Sequence, residues 1–162
     1  MRKLSGQSTC VQFDDYDTDP ESVAQFIRRN GSMMPEIILV GYSWGGDCAV
    51  DVCWKLDDLG LEVEHLLLCD AVYRSSLKTM AWRALTSSPK LKIPDNVAEV
   101  TWFYQRRNKP AGHVPVAVDP YNDFDKAGTV IHPGKQLDMI HAAMDEAPEF
   151  IDAAVRIAGA AA

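Results

Sequence analysis

Apolar residues fall in two rhythms along this chain. Residues 36–40 (EIILV), Val63–Cys69 (VEHLLLC) and Val97–Tyr104 (VAEVTWFY) are short runs bounded by polar or glycine-containing segments. The first two, apolar without clean alternation, predict buried strands, and the third, rich in β-branched and aromatic residues, predicts a further strand. Elsewhere the apolar positions recur every three to four residues, the helical repeat. Val23, Phe26 and Ile27 form one such stripe. Asp19-Pro20 precedes it, giving an N-cap acceptor and a proline where no N–H is needed, and Asn30-Gly31 ends it. Cys48, Val52, Leu56 and Leu59 form a second stripe, closed by Gly60. A last helix begins at Pro148 and runs to 158, with Ile151, Ala154, Val155 and Ala158 as its inner stripe. Residues 8–13 read as a further short strand, 75–86 as a weak helix and 127–131 as a short final strand. Residues 105–126, with Pro110, Pro115 and Pro120, read as a long loop, too long to be mere connection.

Strands that alternate with helices make βαβ units. The expected fold class is therefore α/β: a parallel sheet of about four to five strands with helices on both faces, in three layers. A chain of 162 residues suffices for one domain, 1–162, with a real core. The formal charge of −7 argues against nucleic acid or an anionic membrane surface as partner, because both are bound through a basic face. The opening MRKLSGQSTC has no apolar run behind it to make a secretory signal. No segment approaches the roughly 18 apolar residues of a membrane span. Cys10, Cys48, Cys53 and Cys69 form no CxxC pair, have no histidine at zinc spacing and lie in apolar patterns. They read as structural thiols of a reduced, cytoplasmic protein, with no metal and no cofactor expected.

Ligands of such sheets sit at the carboxyl ends of the strands, and Ser43 and Asp70 both fall there. Gly41-Tyr42-Ser43-Trp44-Gly45 joins a predicted strand to a predicted helix, the setting of a nucleophile elbow. The serine on such a turn is strained and stands clear of the sheet. Side chains two before and two after would collide, which accounts for glycine at 41 and 45. The helix that follows aims its unpaired N–H groups and positive dipole end at the site, so the Trp44 backbone N–H is the expected oxyanion donor. At ordinary glycine usage a chance G-x-S-x-G arises in roughly one chain in twenty of this length, so the flanking strand and helix carry the weight. The bland alternative is a glycine-rich turn that cradles a phosphate, but neither a Walker nor a dinucleotide spacing is present.

With these residues the chain resembles the α/β-hydrolase superfamily, nearest in character to its small lipase- and esterase-like members. The resemblance runs from about Cys10 to the C-terminus. It is carried by VGYSWGGD, LLLCDAV, WFYQRR and HAAMDEAPEFIDAAV, of which only the first is a specific motif. It implies a serine, an acid and a histidine in that chain order. His65 sits within a strand and reads as a core residue, and His113 lies in the long loop with no positional argument for it. His132 follows the last short strand in a His-Pro-Gly turn. His141 stands where the resemblance puts the catalytic histidine and is the expected base, with His132 in reserve.

The commoner family position for the acid is the end of Val97–Tyr104, which here reads Gln105-Arg106-Arg107-Asn108 with no carboxylate. The other family position is one strand earlier, where Asp70 stands, although an aspartate there also reads as a cap of the next element. Asp119, Asp123 and Asp125 are the reserve acids. The family's second oxyanion donor comes from a loop after an early strand. The resemblance thus implies a chain lacking the N-terminal strands, with the donor loop either replaced by residues 14–18 or absent. Tyr104, Tyr121 and Phe124 either wall the site or pack locally. The implied function is a serine hydrolase that cleaves a small carboxylic ester or thioester through an acyl-enzyme on Ser43. The alternative on the same scaffold is a non-catalytic binding or structural protein.

Overall fold

The computed structural model describes residues 18–30, 36–73, 90–118 and 128–160. The strand expected at residues 8–13 and the helix expected at 75–86 lie outside them. Helix α1 (Pro20–Asn30) starts as its sequence predicts: the Asp19 carboxylate accepts the Ser22 N–H at 3.1 Å. Val23, Ala24 and Ile27 face the core, while Phe26 is 37% exposed at the margin of the stripe. Strand β1 (Ile38–Tyr42) leads through Ser43 into α2 (Trp44–Asp58), which buries Ala49, Val50, Val52, Cys53 and Leu56. Strands β2 (Val63–Cys69) and β4 (Val97–Tyr104) have the predicted bounds.

These strands form one parallel sheet in the order β1-β2-β4-β6, where β6 is Val130–Ile131; β7 (Lys135–Gln136) also pairs with β4. Tyr42 pairs with Cys69 and Cys69 with Phe103. The residues just beyond, Ser43, Asp70 and the 104–105 step, therefore emerge side by side at one end of the sheet.

Side chains of β2 alternate between two cores. Leu66 and Leu68 pack with α1 and α2 on one face. Leu67 and Cys69 pack on the other with Phe103, Leu137, Met144 and helix α3 (Pro148–Ala160). Burial on both faces is why VEHLLLC shows no polar alternation, and it makes the fold a three-layer α/β arrangement. Among the described residues no helix is long and apolar enough to cross a membrane.

Two expectations are corrected. Helix α3 buries Phe150 and Ala153, whereas Ile151 and Val155 are 47% and 60% exposed. Its sequence carries two apolar stripes one residue out of phase. The aromatic one wins because Phe150 meets Phe103 edge-to-face at 6.1 Å and removes more apolar surface from water. The 105–126 segment is not all loop: Val114–Ala117 (β5) pairs in parallel with Lys90–Ile93 (β3), with Leu91 opposite Pro115. A strand paired on one side only, among the described residues, tolerates a proline. Leu91 and Ile93 of this small sheet join the α2-side core.

Candidate active site

The turn after β1 holds Ser43 at φ 53° and ψ −125°, a conformation that costs a non-glycine residue roughly 1–3 kcal/mol. The surrounding hydrogen bonds impose it. Ser43 donates its N–H to the Cys69 carbonyl at 3.1 Å, and its own carbonyl accepts from Gly46 and Val72 at 3.1 and 2.9 Å. A Cβ on Gly41 would stand 2.6 Å from the Gly46 Cα, so position 41 must be glycine. The second crowded position is Gly46 rather than Gly45. A Cβ at 46 would lie 2.3 Å from the Ala71 Cβ, while one at 45 would meet nothing within 4 Å. The crowding at 46 comes from the first turn of α2 pressing on the residues just after β2, whereas that at 41 comes from the serine turn closing on itself.

The structure brings Ser43, His141 and Asp70 together. The Ser43 hydroxyl lies 2.8 Å from His141 Nε2, and His141 Nδ1 lies 2.6 Å from Asp70 Oδ2. Ser43 comes from the end of β1, Asp70 from the end of β2, and His141 from the first residue of a 3₁₀ turn (His141–Glu146) that leads into α3. Asp70 is fully buried, and its carboxylate accepts from several donors. Oδ1 accepts the N–H groups of Gln105 and Gly112 at 3.1 and 2.7 Å; Oδ2 accepts the Gln105 side-chain amide at 3.0 Å as well as the imidazole. Opposite such an acceptor Nδ1 carries the ring proton, which leaves the Nε2 lone pair facing the serine hydroxyl.

The His141 backbone is held from two sides. Its N–H donates to the Asn108 side-chain oxygen at 2.8 Å, and its carbonyl accepts the Tyr42 hydroxyl at 2.6 Å. The Tyr42 ring also stacks on the imidazole, with centroids 5.3 Å apart. Burial, with Asp145, Cys69 and Asp70 nearby, pushes the Tyr42 hydroxyl up to about 12, so it stays a donor.

The remaining candidates stand elsewhere or outside the described residues. His132 places its Nε2 3.0 Å from Glu99, and its ring lies parallel to that of His65, which contacts Thr101 at 2.9 Å. A depression of about 550 Å³ at the N-terminal half of the strands is lined by these residues with Glu36, Glu64 and Arg156, and none of the Ser43 group reaches it. His113 Nδ1 accepts the Tyr73 N–H at 2.8 Å. Tyr104 stacks on Trp102 at 5.0 Å beneath Arg106, an arrangement of local packing. Trp44 opens α2 directly after the serine. Asp119, Asp123, Asp125, Tyr121, Phe124 and residues 14–17 lie outside the described residues. Among those described, no group of three or more His, Cys, Asp or Glu side chains is arranged to hold a metal ion.

Sequence reasoning passed over Gln105, Asn108, Gly112 and Tyr42. Gln105 and Asn108 occupy the commoner acid position, and the signal they offer in the sequence is a pair of amides where a carboxylate would stand. Comparison with protein-family models and with curated proteins returns no match for this chain.

Proposed function

We propose that this protein is a serine hydrolase of the α/β-hydrolase type that cleaves a small carboxylic ester or thioester through an acyl-enzyme on Ser43. The observation that carries this reading is the hydrogen-bonded series Ser43–His141–Asp70, begun on a strained turn between a strand and a helix. Each member has the environment its role requires. The hydroxyl faces an imidazole lone pair, and the imidazole proton faces a buried carboxylate that orients the ring and stabilises its charged form.

In this mechanism the Ser43 oxygen attacks the acyl carbon while its proton passes to His141 Nε2. The carbonyl electrons collect on oxygen, near the backbone N–H of Trp44 at the positive end of α2. Collapse expels the alcohol or thiol, which leaves with the proton from His141. Water then attacks the acyl-enzyme by the same route, His141 taking its proton and returning it to Ser43 as the carboxylic acid departs. Atoms and charges balance with these side chains and water alone. The ester or thioester class rests on the resemblance of the VGYSWGGD segment to lipase- and esterase-like proteins.

A fluorophosphonate probe tests the proposal, because it adds covalently only to an activated serine. Intact-mass analysis is expected to show one adduct on the wild type and none on Ser43→Ala. Equal labelling of the two, or none of either, would sink the enzyme reading and leave a non-catalytic scaffold.

A further inference from the structure

We infer that Gln105 is a positioning residue that fixes His141 from two directions, through Asp70 and through Asn108; the inference rests on the triad reading above. Gln105 occupies the first position after β4, and its side chain is 1% exposed. Its Nε2 lies 3.0 Å from Asp70 Oδ2, 3.0 Å from the Asn108 carbonyl and 2.8 Å from the Pro110 carbonyl. Its Oε1 accepts the backbone N–H groups of Arg107 and Asn108 at 2.7 and 3.0 Å. Three acceptors face the nitrogen and two donors face the oxygen, so the amide has one orientation only.

This network has two arms. One hydrogen bond ends on the carboxylate oxygen that receives the His141 Nδ1 proton. The others shape the 105–110 turn, which presents the Asn108 side chain to the His141 backbone N–H. A single buried amide thereby sets both the ring's partner and the backbone's partner.

The chemistry explains why glutamine serves where a carboxylate would not. A glutamate here would face the Asp70 carboxylate and two carbonyls with no donor of its own unless protonated. Buried like charges at that separation resist joint ionisation. The glutamine brings two N–H donors to that group of acceptors and an oxygen to the Arg107 and Asn108 N–H groups, and it stands at the very position from which the commoner arrangement would supply the acid. Asp70 then acts as acid while Gln105 holds it.

The test uses the full chain and two readouts. The first is the proton NMR signal of His141 Nδ1–H, which a 2.6 Å bond to a carboxylate moves far downfield; it is assigned by its loss in His141→Ala. The second is kcat and KM for p-nitrophenyl acetate. Gln105→Met keeps the length of the side chain and removes the amide. It is expected to abolish or broaden the signal and to lower kcat by about 10–10²-fold, the scale of a small misplacement, with KM within about threefold. Asn108→Ala is expected to weaken the signal and lower kcat less. Asn96→Ala, which breaks hydrogen bonds to Cys53 and Leu61 away from the site, controls for stability loss and should leave the signal in place. A wild-type signal and kcat in Gln105→Met would overturn the inference. If that variant does not fold, the same result in Asn108→Ala overturns it instead. Should the wild type show the signal but no probe labelling or turnover, the hydrolase reading fails while the NMR arm still decides the positioning.

Discussion

Gly46 and Ala71 meet so closely that a Cβ added to the glycine would stand 2.3 Å from the alanine Cβ and 3.0 Å from its Cα. That contact seats the first turn of α2 against the end of β2 and so sets the spacing between Ser43 and Asp70. Gly46→Ala must push the two elements apart. Overpacking of this kind costs about 1–3 kcal/mol, or roughly 2–4 °C of melting temperature per kcal/mol in a chain of this size. Gly45→Ala adds a methyl to open space on a helix, where alanine is favoured by about 0.5–1 kcal/mol. Thermal unfolding of the two variants is expected to show a drop for position 46 and none for position 45. The reverse order would mean that the glycine after the serine matters for the reason the motif first suggests.

The Asp70 carboxylate makes a sharper prediction about protons. Asp70→Asn would keep an oxygen toward the Gln105 and Gly112 N–H groups and turn its NH₂ toward Gln105 Nε2 and His141 Nδ1. Two donors then face donors. His141 relieves its side by moving its proton to Nε2, which ends its ability to take one from Ser43. Turnover is expected to fall roughly 10⁴-fold, the scale seen when a triad acid loses its charge and the imidazole adopts the wrong tautomer. The Gln105 clash remains, so stability should fall by about 1–3 kcal/mol as well. Kinetics and urea unfolding on the same preparation check both. Near-normal turnover would remove Asp70 from the acid role.

Much of the layout was legible because the buried strands and the caps are local signals. The LLLC end of β2 is buried on both faces, β4 carries the buried Val100 and Phe103, and Asp19-Pro20 starts α1 through its own side chain. The phase of α3 was not legible. Residues 148–160 offer two stripes, and only the presence of Phe103 across the interface decides for Phe150 over Ile151 and Val155. The small β3–β5 sheet is illegible for a related reason: Pro115 argues against a strand until one sees that β5, among the described residues, pairs on one side only. Ser43 and Asp70 could be named from strand ends, and His141 through the resemblance of its segment. The amides around them could not, since Gln105 and Asn108 matter through hydrogen bonds to residues more than thirty positions away.

Acid should destabilise the fold through histidines that stand apart from the Ser43–His141–Asp70 series. Burial pulls His113 below its ordinary 6.5, against a smaller opposing pull from Asp70. Burial also pulls His65 down, assisted by His132 and Arg156 and opposed by Glu99. His113 moreover needs an unprotonated Nδ1 to accept the Tyr73 N–H. As pH falls, the unfolded chain therefore binds protons at these sites before the folded one does. Their stabilisation is fully present above about pH 6.5 and is lost as pH drops below it toward the folded-state values, with a ceiling of about 1.4 kcal/mol per pH unit for each proton. Glu99, held below its ordinary 4.5 chiefly by its hydrogen bond from His132, changes charge at more acid pH and does not confuse the window. Melting temperatures between pH 7.5 and 5.5 are expected to fall for the wild type and to fall less for His113→Asn, which keeps an acceptor near the Nδ1 position and cannot titrate. His65→Gln, which keeps a polar partner for Thr101, should flatten the curve further when combined with it. Identical slopes in the wild type and the double variant would show that neither histidine carries the acid sensitivity.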